Sequence, residues 1–271
     1  MNKKILLTAG IILIILILII SFSLKKGKTS FAEGKTAVLN AQSLLNQARD
    51  LQTKGDLLGL AALYQKLVSD FPNSAEVMNW QKKIDDINIR LLFSPTLTPK
   101  SAIYEIKPGD TLSRIAKAFK TTPELIKKSN NLKSDMISPG KKLKVWNAPF
   151  SILVDKSQNI LILKSNEEIV KTYIVSTGKD NTSPVGNFKI TSKLVNPTWF
   201  KTGAVIPAGS PENVLGTRWL GIDKPSYGIH GTTDPQDLGK QVTQGCVRMA
   251  NSDVEELYTI VPIGTEVVIV D

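Results

Sequence analysis

This chain of 271 residues has one cysteine and one histidine, and aromatic residues make up only 6% of it. A single cysteine cannot form an internal disulfide, and one cysteine with one histidine cannot supply the four ligands of a structural zinc site. No nucleotide-binding or metal-binding motif is present either, so we expect no cofactor and no metal. One thiol and one imidazole can, however, carry out nucleophilic acyl chemistry, in which the imidazole takes the proton of the attacking thiol.

These two residues lie in one stretch near the C-terminal end of the sequence. His230 stands in Gly228-Ile229-His230-Gly231-Thr232, and Cys246 follows in Gln244-Gly245-Cys246-Val247-Arg248-Met249. Taken singly, a small buried cysteine and a hydrogen-bonded loop histidine are the plainer interpretations. Together, each beside a glycine, they favour a catalytic site with Cys246 as nucleophile and His230 as base.

Positive charge exceeds negative charge, with a net charge of +10, but it is unevenly spread. Residues 150–271 are slightly acidic, whereas the basic excess lies in residues 1–32 and 101–149. Nucleic acid is a common partner of basic proteins. Here the basic residues follow an apolar segment, so an anionic envelope polymer or a lipid surface fits better, and we expect no nucleic-acid partner.

Charged residues are absent from positions 5–24, which are almost all Leu and Ile. Such a run, at a rise of ~1.5 Å per residue, crosses a hydrocarbon core of ~30 Å. A cleaved signal peptide is the alternative, with Ser30-Phe31-Ala32 as the cleavage site, but the run is longer than a typical signal-peptide core and lysines separate it from that site. We predict an uncleaved N-terminal transmembrane helix, with residues 1–32 as anchor and basic flank.

Residues 33–93 have the three- and four-residue apolar spacing of helices, and the Pro-containing residues 94–100 form a short linker. Gly55, Tyr64 and Pro72 stand where a tetratricopeptide-like repeat has a glycine, an aromatic residue and a proline. We therefore predict a helical, tetratricopeptide-like spacer. A plain helical hairpin is the alternative.

Residues 101–147 follow a strand-helix-helix-strand pattern. The tracts Lys107-Pro108-Gly109-Asp110-Thr111-Leu112, in which we expect Asp110 to cap the first helix, and Pro139-Gly140-Lys141-Lys142-Leu143 resemble those of a LysM domain. This resemblance implies binding to glycans that contain N-acetylglucosamine. By analogy, the glycan-binding groove would comprise Gly109, Asp110, Thr111, Leu112, Ser134, Asp135, Met136 and Ile137. The alternative is a module kept only for folding or spacing.

From residue 148 onward, short β-rich runs alternate with turn residues, and one helix is predicted at 252–260, started by Asn251 or Ser252. This pattern indicates a mostly-β domain over residues 148–271. The predicted fold class is therefore multidomain α+β: a transmembrane helix, a helical spacer, a βααβ LysM module and a mostly-β catalytic domain.

Four tracts of this last region are similar to the catalytic domain of the L,D-transpeptidases, the YkuD family. They are Ser183-Pro184-Val185-Gly186, Trp219-Leu220-Gly221-Ile222 and the two tracts around His230 and Cys246. The resemblance implies a β-rich fold, a cysteine nucleophile, a peptidoglycan stem peptide as substrate and acylation by carbapenems. Many members have Ser-His-Gly-Cys where this chain has Thr243-Gln244-Gly245-Cys246, so the imidazole base must be His230.

The resemblance also implies roles by position. Cys246 would attack, His230 would act as general base and raise the reactive thiolate fraction, and the backbone N–H groups of Gly245 and Cys246 would lie near the oxyanion. In an extended segment Arg248 lies on the side of Cys246, where it could favour the thiolate or bind a substrate carboxylate; an ion pair with the C-terminal helix is the alternative. The expected oxyanion and substrate pocket comprises Gly245, Arg248, Gly231 and Thr232.

These observations lead to one functional hypothesis and three alternatives. The hypothesis is a membrane-anchored cell-envelope enzyme, with its catalytic domain outside the cytoplasm, that forms a Cys246 thioester with a stem tetrapeptide, releases D-alanine and transfers the acyl group to an amine. One alternative is an L,D-carboxypeptidase that uses water as the acceptor. The others are a non-catalytic peptidoglycan-binding tethering protein and a sortase-like or papain-like peptidase.

Overall fold

The computed structural model describes residues 31–201 and 203–271, and the chain divides into two compact units at the bond between Ile84 and Asp85. The predicted transmembrane helix at 5–24 lies outside the described residues. Among the helices that are described, none is both long and apolar enough to cross a membrane.

The first unit is helical. It holds α1 (Phe31–Lys54), α2 (Leu57–Asp70) and the beginning of α3 (Val77–Leu92). Gly55 has a φ of +71°, and the Asp56 side chain caps α2 by accepting a hydrogen bond from Gly59 N at 2.9 Å. The buried face of α2 consists of Leu60, Leu63, Tyr64 and Leu67. Helices therefore form where the apolar spacing of residues 33–93 predicts them.

The second unit opens with a strand-helix-helix-strand module formed by β1 (Ser101–Glu105), α4 (Leu112–Ala118), α5 (Pro123–Ser129) and β2 (Lys142–Trp146). The two strands pair antiparallel, from Ser101 opposite Trp146 to Glu105 opposite Lys142. The module has its own small core of Ile106, Leu112, Ile115, Ala116, Ile126, Leu143 and Val145.

The residue that caps α4 differs from the prediction. Thr111 is the cap, and its side chain accepts from Arg114 N at 3.2 Å. Asp110 instead accepts from Tyr104 Oη at 2.7 Å and from Lys107 N at 2.8 Å. The carboxylate is therefore bound back into the preceding turn, where it cannot cap the helix.

The remaining chain forms a mostly-β domain. Its strands are β3 (Phe150–Asp155), β4 (Ile160–Ser165), β5 (Glu168–Gly178), β6 (Gly186–Val195), β7 (Trp199–Lys201), β8 (Ala204–Ile206), β9 (Arg218–Ile222), β10 (Gly228–His230), β11 (Gln241–Thr243), β12 (Val247–Met249) and β13 (Glu266–Val270). Nine strands form one sheet in the order β11-β5-β12-β10-β9-β6-β13-β3-β4, and β7 and β8 form a separate ribbon. Since β4 also pairs with β5, the large sheet closes on itself like a barrel.

Alternating side chains of this sheet build the main core. Ile152 and Val154 of β3 face inward with Leu161 and Leu163 of β4, and all four are buried. Helix α6 (Asn251–Ile260) adds its own buried face of Val254, Leu257 and Ile260.

The LysM-like module and the β domain share this core. Leu125 of α5 belongs to it, as do Ile89 and Leu92 of α3. Thr122 Oγ1 donates to the carbonyl of Thr259 on α6. Residues 85–271 are thus one packed body in which the module is held directly against the β domain.

Candidate functional site

Two adjacent short strands bring the predicted site residues together. Strands β10 and β12 run parallel, with Ile229 opposite Val247 and His230 opposite Arg248. Ile229 and Val247 face the core, so by alternation His230 and Arg248 share the opposite face. Cys246 precedes β12 by one residue and stands two positions before Arg248, which places it on that same face.

The His230 ring is buried and held on two sides. It is only 4% exposed, and the indole of Trp219 stacks on it with ring centroids 5.9 Å apart at 18°. Its Nδ1 lies 2.7 Å from the carbonyl oxygen of Gly231. Because a carbonyl only accepts hydrogen bonds, Nδ1 carries the proton and Nε2 keeps the lone pair that a general base needs.

Asn251 fixes the segment that holds this imidazole. Its Oδ1 accepts from Thr217 N at 3.1 Å and Thr232 N at 3.2 Å, and its Nδ2 donates to Thr232 O at 2.9 Å. A Cβ added at Gly231 would lie 2.1 Å from Asn251 Oδ1, so only glycine fits there.

Gly231 contacts His230 through its carbonyl oxygen, and the place of Gly231 and Thr232 in the substrate pocket stays a prediction. The Thr232 hydroxyl is occupied within its own turn by the backbone of Asp234, and the residue is buried. Helix α6 begins at Asn251, as predicted, and Ala250 before it makes no side-chain capping bond.

The Cys246 thiol is half-buried and donates to the carbonyl of Ser226 at 3.6 Å. Burial raises the pKa of the thiol above its usual value. A hydrogen bond with the Gly228 backbone and the charge of Arg248 both lower this pKa, but their effect is smaller than that of burial. Burial lowers the pKa of His230 to about 4. The hydrogen bond to Gly231 raises this pKa and the positive charge of Arg248 lowers it further. At neutral pH both groups are therefore uncharged.

This resting state corrects one expectation. We expected the imidazole to raise the thiolate fraction of Cys246, but the described hydrogen bonds join the thiol to Ser226 and the imidazole to Gly231, rather than to each other. If such a thiol acts as a nucleophile, it must lose its proton as it attacks.

Arg248 lies close enough to both groups to lower their pKa values. Its Nε is buried and has no hydrogen-bond partner within the described part of the chain. Among the described ion pairs, the arginine that approaches α6 is Arg218, with a nitrogen 3.8 Å from Glu255, and an ion pair between Arg248 and this helix stays an alternative. A guanidinium nitrogen without a hydrogen-bond partner is suited to a carboxylate ligand.

The turn before Cys246 has a fixed conformation. Gly245 has a φ of +125°, and a Cβ there would lie 2.7 Å from the Tyr227 ring. Thr243 Oγ1 accepts from Gly245 N at 3.1 Å and donates to Cys246 O at 2.7 Å. The Gly245 N–H, expected near the oxyanion, is thus already bonded, which leaves the Cys246 N–H as the donor that this turn can offer.

The predicted glycan-binding residues occupy two turns of the LysM-like module. Leu112 and Ile137 pack into the same small core, so these turns flank one cluster, but Leu112 is only 3% exposed and cannot line a groove. Asp135 pairs with Lys127 at 2.6 Å, and Met136 is 86% exposed. Gly109, with a φ of +82°, and Ser134, whose hydroxyl accepts from Met136 N, shape the turns.

A bound metal ion needs several ligand side chains that lie close together. Nowhere in 31–201 or 203–271 do three or more His, Cys, Asp or Glu side chains form a group that could hold a metal ion.

Comparison with known proteins places this architecture in a family. Residues 149–269 match the L,D-transpeptidase catalytic domain (YkuD), and residues 104–146 match the LysM domain. YkuD of Bacillus licheniformis, named as an L,D-transpeptidase, is 37% identical over 173 residues that cover 61% of this chain and 96% of that protein. The chain belongs to the YkuD family of L,D-transpeptidases.

Another curated relative and a solved structure are also similar. YkuD of Bacillus subtilis strain 168 is 35% identical over 173 residues, which cover 61% of this chain and 97% of that protein. Among solved structures, an L,D-transpeptidase from Mycobacterium smegmatis superposes with a TM-score of 0.41 at 17% identity, over 49% of this chain and 65% of that one. This structural likeness is too distant to add to the argument.

Three residues that sequence reasoning missed complete the site. Trp219 lies in one of the tracts that resemble the family, but sequence alone does not show that its ring meets His230. Thr243 carried a signal, since it stands where other members have a serine. Asn251 stands at the start of a predicted helix, where an asparagine is common, so the sequence gives no sign of its hydrogen bonds to residues 217 and 232.

Proposed function

We propose that this chain is a peptidoglycan L,D-transpeptidase whose nucleophile is Cys246 and whose general base is His230. The observation that supports the proposal is the pairing of β10 with β12, together with the Nδ1–H of His230 and the Arg248 Nε that has no hydrogen-bond partner among the described residues. That combination serves acyl transfer through a thioester.

The reaction has two steps. Cys246 Sγ attacks the carbonyl of the L,D amide in a donor tetrapeptide while Nε2 of His230 takes the thiol proton. The C–N bond then breaks, the imidazolium protonates the leaving nitrogen, D-alanine departs and a thioester remains. An amine of a neighbouring stem attacks the thioester, His230 takes the amine proton, and the thiol is restored with that proton.

Two neighbours support the transition state. The N–H of Cys246 is placed to donate to the developing oxyanion, and one such donor is worth roughly 3–4 kcal/mol. Arg248 would bind a carboxylate of the stem peptide, which accounts for a buried guanidinium nitrogen without a partner among the described residues.

The other parts of the chain would hold the enzyme near its substrate. The LysM module would bind the glycan strand, and the N-terminal apolar segment at 5–24 would anchor the protein in the membrane with the catalytic domain outside the cytoplasm. Removal of residues 1–32 should release the protein from the membrane fraction; retention there would contradict the anchor.

Product analysis tests the proposed activity. The protein is incubated with a disaccharide-tetrapeptide, and the products are separated by mass spectrometry, with the C246A variant as control. Wild type should form cross-linked dimers and release one D-alanine per dimer, whereas the variant should form none. Conversion to tripeptide without dimers would instead assign water as the acceptor, and no product from wild type would refute the acyl-transfer proposal.

A further inference from the structure

Lys156 is a buried lysine outside the site described above. It follows β3, is 2% exposed, and its Nζ donates to the carbonyl of Ser183 at 3.0 Å and pairs with Asp271 Oδ1 at 2.8 Å. Burying an ammonium group is costly unless its partners are well placed. The fold therefore holds a lysine side chain at a position where an apolar residue would avoid that cost.

Ser183 connects this lysine to the turn before the nucleophile. Its hydroxyl accepts from Gly178 N at 2.8 Å and donates to the carbonyl of Gly245 at 2.8 Å. That carbonyl belongs to the same peptide unit as the N–H of Cys246. Because the unit is planar and trans, fixing the C=O direction also fixes the N–H, and a bond to the C=O polarises the N–H further.

The loop that carries Ser183 needs to be held. Asp180 and Asn181 have φ values of 50° and 63°, a conformation that costs free energy for residues other than glycine. The loop also packs closely on the nucleophile turn, since a Cβ on Gly245 would lie 3.1 Å from Thr182 O. Asp271 binds both Lys156 and Asn181, so one carboxylate links the lysine to the strained part of the loop.

We propose that Lys156 is a positioning residue for the nucleophile. Through Ser183 it orients the peptide unit that presents the Cys246 N–H to the reacting carbonyl. This inference rests on the proposed acyl transfer and deepens it, because it predicts a residue that acts on the oxyanion without touching the substrate.

The test compares two reactions of the same thiol. Attack on a β-lactam carbonyl by Cys246 develops an oxyanion, whereas alkylation by iodoacetamide displaces iodide from a saturated carbon and develops none. The K156M and S183A variants should lose about ten- to a hundred-fold in the rate of meropenem acylation, less than the roughly hundred- to thousand-fold cost of removing an oxyanion donor, because the Cys246 N–H is misoriented and not lost. Their iodoacetamide rates should remain within about two-fold of wild type, because that reaction needs no such donor.

Three further measurements complete the design. The K156M/S183A double variant should be acylated by meropenem no more slowly than the slower of the two single variants, because both residues act through one peptide unit. K193M is the matched control: Lys193 Nζ also donates to two backbone carbonyls, of Tyr258 and Val261, but it does not contact the 178–183 loop. It should lower stability without changing the ratio of the two rates. D271N tests the same path if K156M does not fold.

Wild-type acylation rates in K156M and S183A would overturn the inference, as would equal losses in both reactions. A wild-type protein that meropenem and tetrapeptide both leave unmodified would instead refute the proposed function, so the two failures can be told apart.

Discussion

At the residue scale, burial determines the protonation of both reacting groups. The His230 ring is covered by Trp219 and lies close to the charge of Arg248, and its pKa falls to about 4. The Cys246 pKa rises for the same reason, loss of solvent. A neutral pair avoids two buried charges before substrate arrives, and in the proposed mechanism the proton would move only when a carbonyl is in place to be attacked.

The low pKa of His230 predicts the acid limb of the pH profile. In the proposed mechanism the neutral imidazole is the base, and a lowered pKa keeps the imidazole neutral further into acid. Protonation of His230 should therefore cause no fall in the rate of meropenem acylation between pH 7 and about pH 5. An imidazole with an ordinary pKa would instead lower this rate about ten-fold by about pH 5.5. Acylation rates measured by intact mass across this range would contradict the account if they show an inflection near pH 6.5.

Trp219 should control this pKa. In W219L the imidazole becomes more accessible to water, so its pKa should rise toward the ordinary value of about 6.5. Since the chain has a single histidine, its ring proton can be followed by NMR titration without assignment. The control is W146L, because Trp146 stacks on Phe150 and donates to Ser165 rather than contacting His230. An unchanged titration in W219L would show that the indole does not desolvate the ring.

At the element scale, the site depends on a parallel pair of three-residue strands and on the turn that enters one of them. Gly245 has a positive φ and no room for a Cβ atom. Gly264 has a φ of +90°, but no atom lies within 4 Å of the point that a Cβ would occupy. Alanine substitution at Gly264 therefore tests backbone strain alone, whereas substitution at Gly245 adds a steric clash.

G264A should cost roughly 1 kcal/mol of stability, the ordinary penalty for a side chain at positive φ, and should leave acylation unchanged. G245A should be destabilised further and should lose at least about ten-fold in acylation rate, because the Tyr227 ring and the turn must move. Thermal unfolding and acylation rates of the two variants provide the measurement. Equal behaviour of both would mean that space at Gly245 does not matter.

Sequence alone predicts the longer elements. The alternating runs of β3 and β4 and the capped helices of the first unit form where the apolar period places them. The short strands β10 and β12 carry no such period, because three residues are too few to separate an alternating pattern from chance. The scarcity of cysteine and histidine pointed to Cys246 and His230, but the bonds of Asn251 and Ser183 join residues far apart in sequence, and no local pattern shows them.

At the scale of the whole molecule, the LysM module and the catalytic domain are fused through one core rather than joined by a free linker. Lys144 is 5% exposed and donates to the carbonyls of Leu91 at 2.6 Å and Ser94 at 2.8 Å. Lys100, in the predicted linker, pairs with Glu168 at 2.7 Å. We infer that the module has a fixed orientation to Cys246, so a bound glycan would be held at a set distance from the thiol.

Two neighbouring residues of α5 test this fusion. Leu125 packs into the core of the β domain, and Ile126 packs into the core of the module, both at 1% exposure. L125A and I126A should each cost about 2–5 kcal/mol. If the two domains unfold as one unit, both variants should lower a single calorimetric transition. Two separate transitions, with I126A shifting only one of them, would contradict a shared core.

The central claim is that Cys246 becomes acylated by a stem peptide, and trapping that intermediate tests it most directly. The protein is mixed with tetrapeptide donor without added acceptor, quenched in acid and analysed by intact mass and peptide mapping. The account predicts a tripeptide adduct on Cys246 of the wild type, which hydroxylamine removes as it does a thioester, and no adduct on C246A. An adduct that persists on C246A, or dimers formed by wild type without any adduct on Cys246, would contradict it.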